Sequence, residues 1–197
     1  MKHLLAILFL IIAATTVSAQ TGDAADKPPC ALSVTQAPAI NGLKLGMTVE
    51  QVLARFPGSS EDKIIAAERA RAPEKFGAGS FSIIPEKYST KDEFPGINQF
   101  NFRYIDGHIY SLRAAYNGQT WKDVDEFVSK FAADAKLPAA GFWDATPGME
   151  MQQKELKCSD LAITVFASSG VNHIELRDAA SEQLLKERRA KAKEAKP

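Results

Sequence analysis

The chain has 197 residues, 45% of them hydrophobic, and its 24 Lys+Arg are balanced by 24 Asp+Glu. That length suits one ordinary domain or two small units sharing a core. A balanced charge excludes the nucleic-acid binders, which concentrate a positive surplus on one face.

Met1 to Ala19 has the layout of a secretory signal peptide: an early Lys2, an apolar run from Leu4 to Ala14, then Val17-Ser18-Ala19 before Gln20. The apolar run is about half the ~20 residues that a membrane-spanning helix needs. The expected protein is therefore periplasmic or secreted, cleaved after Ala19, with no transmembrane anchor, no nucleotide cofactor and no nucleic acid among its partners. Residues 20–29 read as a flexible lead, polar and ending in Pro28-Pro29. In an oxidising compartment Cys30 and Cys158 read first as one disulfide. Cys30 fits a lipid-bearing cysteine poorly, because a polar stretch separates it from the apolar run.

The best-specified element is Leu45 to Gly58. Thr48 and Gln51 form a capping box, Met47 is placed to staple onto Val52, and Val49, Val52, Leu53 and Phe56 fall on one apolar face. Pro57 and Gly58 stop the helix. A second helix is expected over Glu61 to Arg71, capped by Ser59 or Ser60, with Ile64 and Ile65 facing inward. From Ser80 the period changes to two. Phe81 and Ile83, then Phe100, Phe102 and Tyr104, alternate with polar residues as half-buried strands do.

The turn at Ile105-Asp106-Gly107 is a question of parity. A two-residue Asp-Gly loop sets Phe102 opposite Ser111, whereas a three-residue loop with left-handed Gly107 pairs Phe102 with Tyr110 and Phe100 with Leu112. Parity favours the three-residue loop. A third helix is expected from Thr120 to about Lys136, capped by Thr120, with Trp121, Val124, Val128 and Phe131 on one stripe. Three strands follow near Glu150 to Cys158, Leu161 to Ala167 and Val171 to Arg177. Asp178 can cap a last helix running into a basic tail, where Lys186, Arg188, Arg189, Lys191, Lys193 and Lys196 outnumber Glu187 and Glu194.

Gly46, Thr48 and Val52 coincide without a gap with Gly118, Thr120 and Val124, and each set precedes strands, which suggests an internal repeat. The run Leu-Gly-Met-Thr-x-x-Gln-Val-x-x-x-Phe-Pro-Gly over Leu45 to Gly58 resembles the helix signature of tandem-repeat proteins related to the β-lactamase inhibitor protein. It is similar also to that of outer-membrane assembly lipoproteins of the SmpA/OmlA type. The resemblance implies an exported α+β protein of two helix-plus-antiparallel-sheet repeats, over 30–116 and 117–178, with residues 179–197 as a C-terminal helix and basic tail. It further implies helices on one face of the sheet and a partner protein on the other. The chain departs from the lipoproteins in lacking a lipidation cysteine, and no contact residue of either family aligns to a motif here.

Catalytic chemistry has little support. His108 sits beside a turn and His173 inside a strand, with no nucleophile or metal-ligand spacing near either. Glu150, Glu155 and Asp160 are the acids from which folding could build a carboxylate pair, the basis of a rival reading as an exported hydrolase. No catalytic, cofactor or metal residue is assigned. The crowded aromatics Phe100, Phe102, Tyr104, Tyr110, Tyr116 and Trp121 read as core. The opposite face of the same hairpin presents Asn101, Arg103, Ser111 and Arg113, the candidate partner-binding residues. The leading expectation is a non-enzymatic protein-binding module; inhibition of a secreted hydrolase is its narrower form. The basic tail offers a further contact, with an anionic lipid surface.

Overall fold

The computed structural model describes residues 30–71, 76–88, 90–117 and 121–194. The expected leader, the lead over 20–29, and Gly118 and Thr120 of the repeat comparison lie outside the described residues. The helices are α1 (Val49–Leu53), α2 (Lys63–Ala70), α3 (Val124–Asp134) and α4 (Ala179–Glu194). The strands are β1 (Ala78–Ile83), β2 (Ile97–Ile105), β3 (His108–Tyr116), β4 (Asp144–Ala145), β5 (Gln153–Lys157), β6 (Leu161–Ser168) and β7 (Val171–Asp178). All seven strands form one antiparallel sheet in the order β1-β2-β3-β7-β6-β5-β4. The fold is α+β, and β3 pairing with β7 makes one continuous sheet of the two halves.

Helix α1 forms as its sequence dictates. The Thr48 side chain accepts from the Gln51 amide, the Gln51 side chain accepts from the Thr48 amide, and Val49, Val52, Leu53 and Phe56 are all buried. The second helix corrects its expected cap. Ser59 is fully buried and its hydroxyl donates to the Leu53 carbonyl, so it closes the end of α1. Asp62 caps α2 instead, accepting from the amides of Ile64 and Ile65, as suits a carboxylate at the positive end of a helix. Successive helical residues lie about 100° apart, so only one of the two isoleucines faces inward: Ile65 is 2% exposed and Ile64 60%. The third helix likewise starts late. Asp123 caps it through the Glu126 amide, while Trp121 lies ahead of it and stacks flat on Phe127 at 3.6 Å.

The β2–β3 hairpin overturns the loop expected for it. Ile105 pairs with His108, so the loop is the two residues Asp106 and Gly107, both at positive φ (49° and 79°), which is what a tight primed turn requires. A register shift after Arg103 then leaves Tyr110 as an extra residue. Arg103 pairs with Ser111, Phe102 with Leu112 and Phe100 with Ala114. A bulge restores the parity that the short loop breaks, so the apolar face stays continuous.

One large core occupies a single face of the sheet. Phe81, Phe100, Phe102, Leu112, Ile163, Val165, Ile174 and Leu176 meet α1 and α3 there, with Phe56 stacked on Phe94 at 5.0 Å. Cys30 and Cys158 form the expected disulfide, tying the start of the described chain to the end of β5 across 128 positions. Helix α2 runs beside the edge strand β1, and the Glu68 carboxylate accepts from the outward Ser82 amide. Such capping of edge groups blunts an edge that would otherwise template pairing. A smaller cluster of Ala78, Ile105, Tyr110 and Leu185 lies on the opposite face, where α4 folds back over the hairpin end. The helix is held there by Arg188, which donates to both Asp106 carboxylate oxygens (2.8 and 2.6 Å) and to the Phe76 carbonyl (2.9 Å). Gly77 is required at this junction, because a Cβ would collide with the Asp106 carboxylate.

Candidate docking face

Strand alternation turns one residue of each pair away from the core, and the register sets these residues in rows across the sheet. Ser82, Asn101, Arg113, Glu175, Thr164 and Glu155 lie abreast, and beside them run Ser80, Arg103, Ser111 and Arg177. The four candidates from the sequence therefore come together. Asn101, Arg103, Ser111 and Arg113 line one hollow of about 220 Å³ with Ser80, Ser82 and Glu175.

Their roles differ within it. Glu175 is the anchor of the hollow: its carboxylate accepts from the Ser111 hydroxyl at 2.9 Å and from the Arg113 guanidinium at 2.7 Å. Burial pushes the Glu175 carboxyl up, but the Arg113 guanidinium and the Ser111 hydroxyl more than offset it, leaving the group below the ordinary carboxylate range. Ser111 is buried, so it positions Glu175 and offers a partner little surface. Asn101 accepts from the Ser82 hydroxyl (3.1 Å) and from the Gln99 side chain (3.0 Å). Arg103 is exposed, and among the described residues it has no carboxylate partner. It lies beside Tyr110, whose hydroxyl burial pushes up while the Arg103 charge pulls it down.

The hollow opens onto a larger groove of about 500 Å³ between α2, β1 and α4. Glu68, Arg71, Ser80, Arg103, Tyr110 and Arg189 line it. Sequence reasoning missed Arg71 and took Arg189 only as part of the basic tail. Each reads locally as an ordinary solvated charge; the packing of α2 beside β1 brings Arg71 to Arg103, and the folding of α4 back onto the sheet brings Arg189. The spacing of Leu185 and Arg189 at i, i+4 was the available signal, since such residues share a helix face.

No family model, no curated protein and no solved structure matches the chain.

The remaining titratable groups are dispersed. Glu155 pairs with Arg177 and Lys157, Asp160 accepts from the Val34 amide at 2.8 Å, and Glu150 accepts from the Gly148 amide on its own loop. These acids hold separate partners. His108 contacts the Asp106 carbonyl next to the turn, and His173 stacks on Phe166 within the sheet. Burial, with the nearby Arg113 charge, holds the His173 ring below its ordinary pKa. Among the described residues no cluster of three His, Cys, Asp or Glu could hold a metal ion, and no helix is long and apolar enough to cross a membrane. Within α4, Glu182 pairs with Arg177 and Arg188 is spent on Asp106.

Proposed function

We propose that this chain is an exported, non-enzymatic binding module of a bacterial-type cell envelope or of the extracellular space, and that it docks a protein partner on the polar face of its sheet. The observation that carries the reading is the hollow itself. Asn101, Arg103 and Arg113 are presented together there by rigid strands, on the face opposite the large core. Residues on strands are held in place by the ladder, which limits the side-chain ordering that docking costs.

Two further observations support it. The Cys30–Cys158 disulfide suits an oxidising compartment. The chain order of a capped helix before each group of strands fits two repeats, whose last strands, β3 and β7, join at the sheet centre. The Leu45 to Gly58 signature, with its resemblance to partner-binding exported proteins, lies on α1 and not on the polar face, so the partner's identity is left to experiment.

The test is site-specific photo-crosslinking. The photoreactive amino acid p-benzoylphenylalanine, placed at Asn101, is expected to capture a discrete partner from an envelope extract, and the same group at exposed Glu61 is not. Equal patterns of capture from both positions would remove the polar face from consideration. Hydrolysis of a substrate by the pure protein, lost with Glu155→Gln, would favour the enzyme reading instead.

A further inference from the structure

We propose that the groove between α2, β1 and α4 is the seat for an acidic, extended segment of the partner protein, gripped by Arg71, Arg103 and Arg189. This rests on the docking face described above and deepens it by stating the partner's chemistry.

The three arginines line one groove, come from three different elements, and have no ion pair among the described residues. Other arginines of the chain are committed: Arg55 to Glu93, Arg69 to Glu50, Arg113 to Glu175, Arg177 to Glu155 and Arg188 to Asp106. Among the described residues the one acid lining the groove, Glu68, is half-buried and already accepts from the Ser82 amide. Arg103 hydrogen-bonds Tyr110 and feels the Glu175 charge, but among the described residues none of the three guanidinium groups holds a carboxylate in an ion pair, and gathering them in one groove costs repulsion that a bound carboxylate relieves. Arginine's planar fork binds carboxylates bidentately, with more geometric specificity than a lysine would give.

The shape argues for a peptide segment. The groove runs on into the hollow through shared Ser80, Ser82 and Arg103, so a continuous path crosses β1, β2, β3 and β7. Three strand spacings of about 4.8 Å make a path of roughly 14 Å, the length of four or five extended residues. Its floor of Ser80, Ser82, Asn101 and Ser111 is rich in small polar groups. The positive end lies at β1 and the end at β7 is neutralised by the Glu175–Arg113 pair. A ligand charged at one end and polar along the rest matches that gradient. A lone phosphate would fill only the arginine end.

The experiment uses the disulfide-bonded chain and fluorescein-labelled hexapeptides carrying two Asp or Glu at one end, with Asn or Gln counterparts, read by fluorescence anisotropy. The acidic peptides are expected to bind and the neutral ones to bind at least tenfold more weakly. Arg71→Glu, Arg103→Glu and Arg189→Glu should each weaken acidic-peptide binding by tenfold or more. Lys44→Glu, an equal charge change at an exposed site elsewhere, should leave it within twofold, and the melting temperatures should stay together. Equal binding by wild type and Arg103→Glu, or equal loss with Lys44→Glu, would overturn the proposal. So would binding to vesicles of anionic lipid through these arginines with no binding to any peptide. Crosslinking from Asn101 that persists while all acidic peptides fail would sink the acidic chemistry alone. Failure of both would sink the docking face as well.

Discussion

The two faces of the sheet ask opposite things of the same strands. Along β2, Phe100 and Phe102 are buried in the large core, Phe100 beside Phe56 and Phe94 and Phe102 stacked on Phe81. Asn101 and Arg103 between them face the hollow. One face is closed by helices and sets stability, while the other is only half covered, by α4 at the hairpin end. Folding therefore constrains every second residue tightly and leaves its neighbours available for recognition.

Breaking the closed face should have the largest effect. Cys30→Ser opens a closure spanning 128 positions, worth about 4 to 5 kcal/mol in the chain-entropy model. Phe100→Ala removes a fully buried ring in contact with Phe94 and Phe102, worth about 3 to 5 kcal/mol. Denaturant unfolding of each variant measures both losses. The cluster under α4 should cost less, because it is small: Leu185→Ala is expected to lose about 2 kcal/mol. It should raise amide exchange in α4 while β5 and β6 keep their protection.

The polar face separates into two kinds of residue. Arg113→Ala strips Glu175 of its ion pair in a mostly buried setting. With Arg113 itself 39% exposed, the expected cost is about 1 to 2 kcal/mol by denaturant unfolding. Arg103→Glu breaks no ion pair but gives up the contact with Tyr110 and a favourable charge near Glu175, so it should cost no more than about 1 kcal/mol, while crosslinking from Asn101 falls. A large loss of stability with Arg103→Glu would show that this side chain serves the fold.

The smallest effect concerns pH. The folded Glu175 carboxyl lies below its ordinary value, so the stability it adds is complete above the ordinary carboxylate range and is lost as pH falls through the depressed folded value. The gap in thermal midpoint between wild type and Glu175→Gln should therefore be widest near neutral pH and shrink on acidification. His173 adds a loss in the same direction. Its folded pKa is lowered, so the unfolded chain takes up the proton first, and stability declines as pH falls through the ordinary histidine value.

Local chemistry was legible in the sequence wherever a pattern closes within a few residues. The Thr48–Gln51 capping box, the Asp178 cap, the alternation of β6 and the core role of the aromatics are all of this kind. The disulfide followed from an even count of cysteines. What escaped depended on tertiary competition. Ser59 reads as a helix cap until Leu53 claims its hydroxyl, and the hairpin loop reads as three residues because a bulge at Tyr110 leaves no mark in composition. Arg71 and Arg189 were not legible as one site for the same reason: α2 packing beside β1 brings the first to Arg103, and α4 turning back on Arg188 and Asp106 brings the second.

Arginine footprinting is the most direct test of the docking face. Hydroxyphenylglyoxal labelling of the disulfide-bonded protein, read by mass spectrometry with and without envelope extract, compares arginines inside and outside the groove in one sample. Recognition on the polar face predicts that Arg71, Arg103 and Arg189 become protected together while Arg55 and Arg69 label as before. Uniform labelling of all five, or protection confined to Arg55 and Arg69, would contradict it.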